Sequence, residues 1–561
     1  MATPSPVPRR KGQPTLKGRQ VDAASVAEVE SLLGDAPRAR DLLIEHLHAI
    51  QDRFGHIAER HLAALAAEMK IPMAEAYEVA TFYARFDVIA DGEPAPAPIT
   101  VRVCESLSCA MAGSEAIAKA CAESAGTDVR VLRGPCIGRC AAAPAVEVGR
   151  AVVEQATAAR VMSAAAAREV EPKIPEYVPL DDYRQEGGYA LLQSCLDGAK
   201  SREDVIAAID ESGLRGLGGA GFPVGRKWKT VRAESGPRLF ALNADEGEPG
   251  TFKDRYCLET DPHRVLEGML IASWIIDAPD AYLYLRDEYP AAREILQAEL
   301  HGLRAAGLIE SEKNPVRVHL RRGAGAYICG EESAMLESLE GKRGYPRHKP
   351  PFPAQVGLFG RPTLIQNVET MFWVREILER GAAMWKAHGR HGRTGLRHIS
   401  LSGRVKKPGV YRVDAGITVR ELIAEHGGGM SDGQDFFAYL PGGASGGILP
   451  ASLGDVPLDF DTLQPHGCFI GSAAVIVLSQ LDATRDVVAN LMHFFEDESC
   501  GQCTPCRNGT EKMVELLRRP QWDEPLLREL SACMMDASIC GLGQAAPNPL
   551  LTVLRHWGAP K

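Results

Sequence analysis

From residue 21 to about residue 85, Leu43, Leu47, Ile50, Phe54, Ile57 and Leu62 recur at helical spacing and predict a small helical bundle over 21–90. The Pro-rich DGEPAPAP ends it. From Ile99 the pattern switches to short β-type runs, ITVRVC, VRVLRG and AVEV, around a helical stretch from Ser114 to Ala125, which predicts a compact α/β unit over 99–165. The stretch EPKIPEYVPLDDY breaks both periods, so 166–200 reads as a linker. A larger α/β region follows over 201–395, then a smaller one over 396–482 with strands in LSGRVKKPGVYRV and VIVLS, and helical spacing returns over 483–561. No internal repeat is present. Residues 1–20 are rich in Pro, Lys and Arg and read as a disordered tail able to lie across a partner subunit.

Composition narrows the class. A chain of 561 residues with 45% hydrophobic and 24% charged residues is a soluble globular protein of several domains, an α/β multidomain chain. Its net charge of −10 opposes a nucleic-acid partner, which needs basic neutralisation. No run approaches the ~20 apolar residues of a membrane span, and no apolar stretch follows Arg9 and Arg10 as in a signal peptide, so no membrane partner is expected and the location reads as cytoplasmic. Thiols stay reduced there, and clustered cysteines mean metal or catalysis before disulfides.

Eight of the 14 cysteines form two sets. The first, Cys104, Cys109, Cys136 and Cys140, spaces as C-x4-C and C-x3-C. Two pairs of thiolates can hold a [2Fe-2S] rhomb, one pair per iron. A four-cysteine zinc site is the rival, although zinc prefers shorter hooks on both sides. The second set, Cys500, Cys503 and Cys506 in ESCGQCTPC, puts three thiols within seven residues, the local part of a [4Fe-4S] site whose fourth ligand comes from elsewhere. Cys540, followed by glycines in SICGLGQ, is preferred for that role. Cys533 sits among helically spaced Leu526, Leu530 and Met534 and reads as a core thiol. Cys121, Cys195, Cys257, Cys329 and Cys468 lack matching partners and read as buried thiols, with Cys329 set apart by its place in a glycine loop.

Two glycine loops lie between the sets. Gly216, Gly218, Gly219 and Gly221 satisfy G-x-G-x-x-G, but the helical SREDVIAAIDESGL precedes them where a dinucleotide fingerprint needs a strand. What remains is a flexible loop followed by Phe222, Lys227 and Trp228, which offer aromatic faces and a cation to a nucleotide. In NADEGEPGTFKDR, Asp245 and Glu246 would repel phosphate, so they suit ring nitrogens or ribose hydroxyls. PVRVHLRRGAGAYICGEESAMLESLEG reads strand, loop, helix, with Gly323, Gly325 and Gly330 in the loop, the order that sets a nucleotide at a helix N-terminus. Glu331 and Glu332 either complement that helix dipole or stand beside the adenosine ribose, where a carboxylate favours NAD over NADP.

Together GLRGLGGAGFPVGRKW, NADEGEPGTFKDR, GAGAYICGEES, KPPFPA, PTLIQNVET, ESCGQCTPC and SICGLGQ closely resemble the flavin-bearing NADH-oxidising subunit of respiratory complex I and its soluble relatives. Upstream, Asp41 to Gly149 resembles the small [2Fe-2S] thioredoxin-like subunit, as though the two were fused. The resemblance implies a thioredoxin-like [2Fe-2S] domain, a Rossmann-like FMN/NAD-binding domain, a β-grasp-like insert and a C-terminal helical bundle with the [4Fe-4S] cluster. It implies FMN held by the loop from Gly216 to Gly221, Lys227, Asn243, Asp245, Gly330 and Asn367. It implies NAD(H) stacked over the flavin, with Phe222, Glu246, Glu248, Tyr327, Glu332, Lys349 and Phe352 nearby. Leu217, Gln366 and Thr230 depart from the family's usual arginine, asparagine and aromatic residue. In such a protein the flavin converts hydride pairs to single electrons and no side chain serves as acid or base. The chain shows no molybdopterin or nickel-iron site, so the implied partner is a separate subunit. DASICGLGQAAPNP resembles most the β (diaphorase) subunit of NAD-dependent formate dehydrogenase, whose partner is a molybdopterin (W or Mo) formate-oxidising α subunit. A soluble NAD-reducing [NiFe] hydrogenase is the alternative, a free-standing NADH dehydrogenase comes third, and a redox-inactive, zinc-stabilised nucleotide-binding scaffold is the reading from another class.

Overall fold

The computed structural model describes residues 21–559; the expected N-terminal tail lies outside them. Helices Ala23–Leu33, Leu43–Phe54, Glu59–Glu68 and Met73–Ala80 form the head, closed by a short parallel pair between Ile57–Ala58 and Val88–Ile89. The next unit is a four-stranded sheet of β1 (Ile99–Cys104), β2 (Val129–Gly134), β3 (Val146–Val148) and β4 (Ala151–Val153), ordered β2-β1-β3-β4. Ile99, Val101 and Val103 alternate inward in β1 and pack with Ala118, Cys121, Val146, Val148 and Val161 into a small separate core.

The central unit is a parallel sheet of β5 (Leu239–Ala244), β6 (Asp280–Leu285), β7 (Arg317–Arg322) and β8 (Thr363–Asn367), ordered β8-β5-β6-β7. Both faces are covered, which is why Leu239–Leu242 in β5 and Ala281–Leu285 in β6 are continuous apolar or aromatic stretches. Phe240, Leu242, Leu283 and Leu364 face a layer containing α1 (Arg202–Ser212), α2 (Val224–Ala233) and α3 (Lys253–Thr260). Leu239, Ala241, Tyr282, Tyr284 and Ile365 face the other way, into one core with Leu43, Leu47 and Tyr83 of the head and Met335 and Leu336 of α4 (Glu332–Leu339). The helical head is therefore a covering layer of the central sheet. The stretch 166–200, expected as a linker, carries helices Leu180–Gln185 and Ala190–Leu196, whose Tyr183, Leu191, Leu192 and Cys195 are buried in the first of these cores.

A mixed five-stranded sheet follows, with β9 (Leu396–Gly403), β10 (Gly409–Asp414), β11 (Phe436–Leu440), β12 (Leu449–Pro450) and β13 (Ala474–Ser479) ordered β10-β9-β13-β11-β12. The chain ends in helices, chief among them α5 (Thr484–Asp497), α6 (Thr504–Leu517) and α7 (Glu524–Ala537). No described helix is long and apolar enough to cross a membrane.

Candidate functional site

In a parallel sheet, ligands bind beyond the carboxyl ends of the strands where chain order reverses. Here β5 runs outward to β6 and β7, and the chain then returns to place β8 on the other side of β5. The reversal lies between β5 and β8, where Asn367, the last residue of β8, pairs in register with Asn243, the last but one of β5, near that carboxyl end. The glycine loop reaches the same point. A Cβ on Gly218 would stand 3.0 Å from that of Asn367, so a side chain there would press on Asn367. Gly219 and Gly221 take positive φ, and the Arg215 side chain secures the loop by donating to the Gly221 carbonyl at 2.5 Å and lying 4.4 Å over the Phe460 ring.

Asn367 caps the helix after β8, accepting the Thr370 N–H at 3.2 Å and donating to Asp254 at 2.5 Å. Asn243 donates to the Gly330 carbonyl at 2.8 Å and accepts the Asp245 N–H at 3.0 Å, which ties β5 to the second glycine loop. Burial pushes the Asp245 carboxyl well above its ordinary range, with Arg286 only partly opposing it. Lys227 and Lys349 converge on Glu332, at 3.7 Å and 2.7 Å. Burial opposes the charge on Glu332, but these two ammonium groups outweigh it and hold the carboxyl below its usual value. Glu331 accepts N–H groups from Ser333 and Ala334 at 2.9 and 3.0 Å, so it is the N-cap of α4, and it also meets Lys349 at 2.8 Å. Phe222, with Arg226 5.7 Å over its ring, and Phe352 leave 44% and 53% of their surface open.

Other residues singled out in the sequence are engaged within the protein. Trp228 is fully buried on α2 and offers no face to a nucleotide. Glu246 is buried, accepting N–H groups of Asp254 and Arg255 at 2.8 and 3.0 Å and the Tyr289 hydroxyl at 2.9 Å; it braces the start of α3. Glu248 binds the backbone and hydroxyl of Ser445 at 2.7 Å each and accepts from Tyr327, which ties the second loop to the insert. Cys329 packs against Gly344 as an interior thiol. Thr230 spends its hydroxyl on the Arg226 carbonyl, 3.0 Å away on its own helix.

Both cysteine sets come together in space. Cys104, Cys109, Cys136 and Cys140 are all buried, with 3.3 Å between the sulfurs of Cys136 and Cys140, and the Gly138 N–H points at Cys136 Sγ from 3.4 Å. Cys136 and Cys140 pack on Phe252 of the central unit. Arg286 donates to the Cys136 carbonyl at 2.6 Å, and Arg255 donates to that of Gly138 at 2.9 Å. These docking residues carry no cysteine-like spacing signal; Phe252 and Arg255 fall in NADEGEPGTFKDR, and Arg286 follows β6.

Cys500, Cys503, Cys506 and Cys540 line one cavity with Ile328, Ser499 and Leu542. Burial pushes the Cys506 thiol up to about 11 and the Cys540 thiol up to about 12. Four thiols facing one space suit a metal cluster, whose charge would ionise them, better than a nucleophile. Cys533 is exposed on α7, not a core thiol as its spacing indicated, and does not line this cavity. Ile328 closes the cavity, and the adjacent Tyr327 gives its N–H to Glu498 at 2.9 Å and its ring to Phe494 at 5.0 Å. Residues 327 and 328 thus join the second glycine loop to the cavity of the four thiols.

Four family profiles cover most of the chain: thioredoxin-like [2Fe-2S] ferredoxin over 29–168, Nuo51 FMN-binding domain over 209–376, SLBB domain over 399–449, and NADH-ubiquinone oxidoreductase-F iron-sulfur binding region over 486–559. The NADH-quinone oxidoreductase F 2 subunit of Rhizobium meliloti (strain 1021) is 42% identical over 398 residues, 69% of this chain and 94% of the relative. The mitochondrial NADH-ubiquinone oxidoreductase 51 kDa subunit of Neurospora crassa is 41% identical over 375 residues, 64% of this chain and 76% of the relative. Among solved structures, a chain of the NAD+-reducing [NiFe]-hydrogenase in the H2-reduced state superposes with a TM-score of 0.81 at 30% identity, covering 93% of this chain and 92% of its own.

Proposed function

Because the chain belongs to the complex I 51 kDa family and joins its FMN-binding and [4Fe-4S] domains to a thioredoxin-like [2Fe-2S] domain, we propose that it is a diaphorase subunit exchanging electrons between NAD(H) and iron-sulfur clusters. The observation that carries this reading is the pairing of Asn243 with Asn367 at the topological switch point, with Gly218 packed against Asn367 and the second glycine loop reaching the four-thiol cavity through Ile328. FMN, when bound, takes a hydride as two electrons and releases them singly. The chain's own residues position the reactants. Gly216, Gly218, Gly219 and Gly221 bring backbone to the flavin beside Asn243, Asp245, Gly330 and Asn367. Phe222 and Phe352 offer open ring faces for stacking, and Tyr327, Glu332 and Lys349 border the same space. Lys227, pressed toward neutrality by burial, keeps its charge near a phosphate through Glu332. No side chain need carry a proton for hydride transfer, which leaves the buried Glu246 and Glu248 as bracing groups.

The metal reading assigns Cys104, Cys109, Cys136 and Cys140 to a [2Fe-2S] cluster and Cys500, Cys503, Cys506 and Cys540 to a [4Fe-4S] cluster. For the partner, formate oxidation by a molybdopterin subunit is the first reading, resting on DASICGLGQAAPNP, with a cytoplasmic location for the complex. Hydrogen oxidation is the second, favoured by the near full-length match to the NAD+-reducing hydrogenase chain. Metal analysis of the complex purified through this chain separates them. Tungsten or molybdenum with formate-dependent NAD+ reduction supports the first; nickel with hydrogen-dependent reduction supports the second. A colourless, zinc-containing chain would contradict both.

A further inference from the structure

Two hydroxyls stand in or beside the wall of the cavity that gathers Cys500, Cys503, Cys506 and Cys540. Ser499 Oγ lies 3.3 Å from Cys506 Sγ. The same oxygen accepts the Gly501 backbone N–H at 3.4 Å. With a lone pair engaged by that N–H, the hydroxyl hydrogen is free to point at the sulfur, and a ligating thiolate can only accept. Ser538 approaches from a different stretch of chain, two residues before Cys540. It is 6% exposed, and its Oγ has no hydrogen-bond partner among the described residues. A Cβ built on Gly543 would stand 2.4 Å from Ser538 Oγ and 2.8 Å from Cys506 Cβ, so the orphan hydroxyl and Cys506 crowd the same glycine. A buried donor without an acceptor is costly, and the sulfur shell of a cluster in this cavity is the acceptor within reach.

We propose that Ser499 and Ser538 donate hydrogen bonds to the sulfur shell of the [4Fe-4S] cluster around Cys506 and raise its reduction potential. The inference rests on the assignment of the four cysteines to that cluster. Such bonds draw electron density from sulfur and stabilise the form carrying the extra electron. A cluster held there would accept one electron at a time from reduced flavin, and no bond at either serine would form or break. The two hydroxyls would make that cluster a better one-electron acceptor. They are positioning groups; neither touches a substrate.

The test is a potentiometric titration of the intact holoprotein followed by EPR. The reduced [4Fe-4S] signal appears at a more negative potential in Ser499→Ala and Ser538→Ala than in the wild type. Ser538→Thr, which keeps the hydroxyl, restores the wild-type midpoint, and the [2Fe-2S] midpoint stays fixed in all. Wild-type midpoints in both alanine variants, with iron content intact, overturn the proposal while leaving the cluster assignment standing. Should an alanine variant lose its cluster, resonance Raman spectra of the wild type in H2O and D2O decide the matter: O–H···S bonds shift the Fe–S stretching bands, and unshifted bands overturn the proposal. A wild-type holoprotein with no [4Fe-4S] signal overturns the assignment and the proposal together.

Discussion

Phe222 and Phe352 each keep close to half their surface in water. Open phenyl rings gain nothing for folding, but a planar ligand laid on them is worth about 1 kcal/mol per ring. Phe352→Ala is therefore expected to raise the KM for NADH about fivefold and to leave the melting temperature unchanged; an unaltered KM removes this ring from the site. A different group sets the stability of the same region. Lys253 is fully buried and meets Asp254 at 2.8 Å and Glu369 at 3.0 Å. Burial works against the Glu369 carboxylate, yet Lys253 and then His398 hold its pKa down to about 2. A carboxyl lowered by folding stabilises the native state above its unfolded pKa of about 4.3 and loses that contribution as pH falls toward 2. Glu369→Gln should cost about 3 kcal/mol at pH 7, since it removes one of the two carboxylates that hold the buried ammonium and leaves Asp254 alone to balance it. Urea midpoints of the variant and the wild type should converge below pH 4; a constant gap would exclude the ion pair as the cause. Neither Lys253 nor Glu369 was distinguishable in the sequence, because burial of a charge depends on contacts between residues more than a hundred positions apart. The same limit explains Trp228 and Cys533. Helical spacing showed which residues share a face, but whether that face is covered is decided by helices elsewhere in the chain.

At the scale of elements, the glycine loop shows what a motif can and cannot convey. Its helical approach in SREDVIAAIDESGL ruled out the usual strand-first fingerprint, and α1 indeed ends at Ser212, just before the loop. The loop instead precedes β5 and reaches the site by packing Gly218 on Asn367 at the end of β8. A methyl group there tightens the contact and thickens the backbone that faces the flavin. Gly218→Ala is expected to yield folded protein with both clusters but with most of its FMN lost, measured as flavin released per chain on denaturation. Full flavin occupancy would place the cofactor away from this loop. The strand periods over 99–165 and in VIVLS were legible because alternation and apolar runs are local properties. The helices in 166–200 were not, since Pro-rich flanks hid short segments whose burial is supplied by the central sheet's helical layer.

Over the whole molecule, the two cysteine sets are attached to one nucleotide crevice by different means. The C-terminal set shares a core with the central sheet and the helical head. The N-terminal set belongs to a small sheet with its own core, held to the central unit by Phe252, Arg255 and Arg286 and to the helical head by the buried Arg85–Glu147 pair at 2.6 Å. This layout suits a flavin placed between two one-electron acceptors, a route onward through the helical end and a second branch or reservoir at the other. The cysteine spacings made that division readable in the sequence, while the residues that weld the small sheet to the crevice became visible only in three dimensions. The most direct test is EPR of the purified chain reduced with NADH and observed across a range of temperatures. Two signals are expected, a slowly relaxing one from [2Fe-2S] and a fast one seen only when cold from [4Fe-4S]. Cys540→Ala should abolish only the second, and Cys533→Ala should keep both. Absence of either signal from the wild type after NADH reduction, or loss of the cold signal in Cys533→Ala with its retention in Cys540→Ala, would contradict the account.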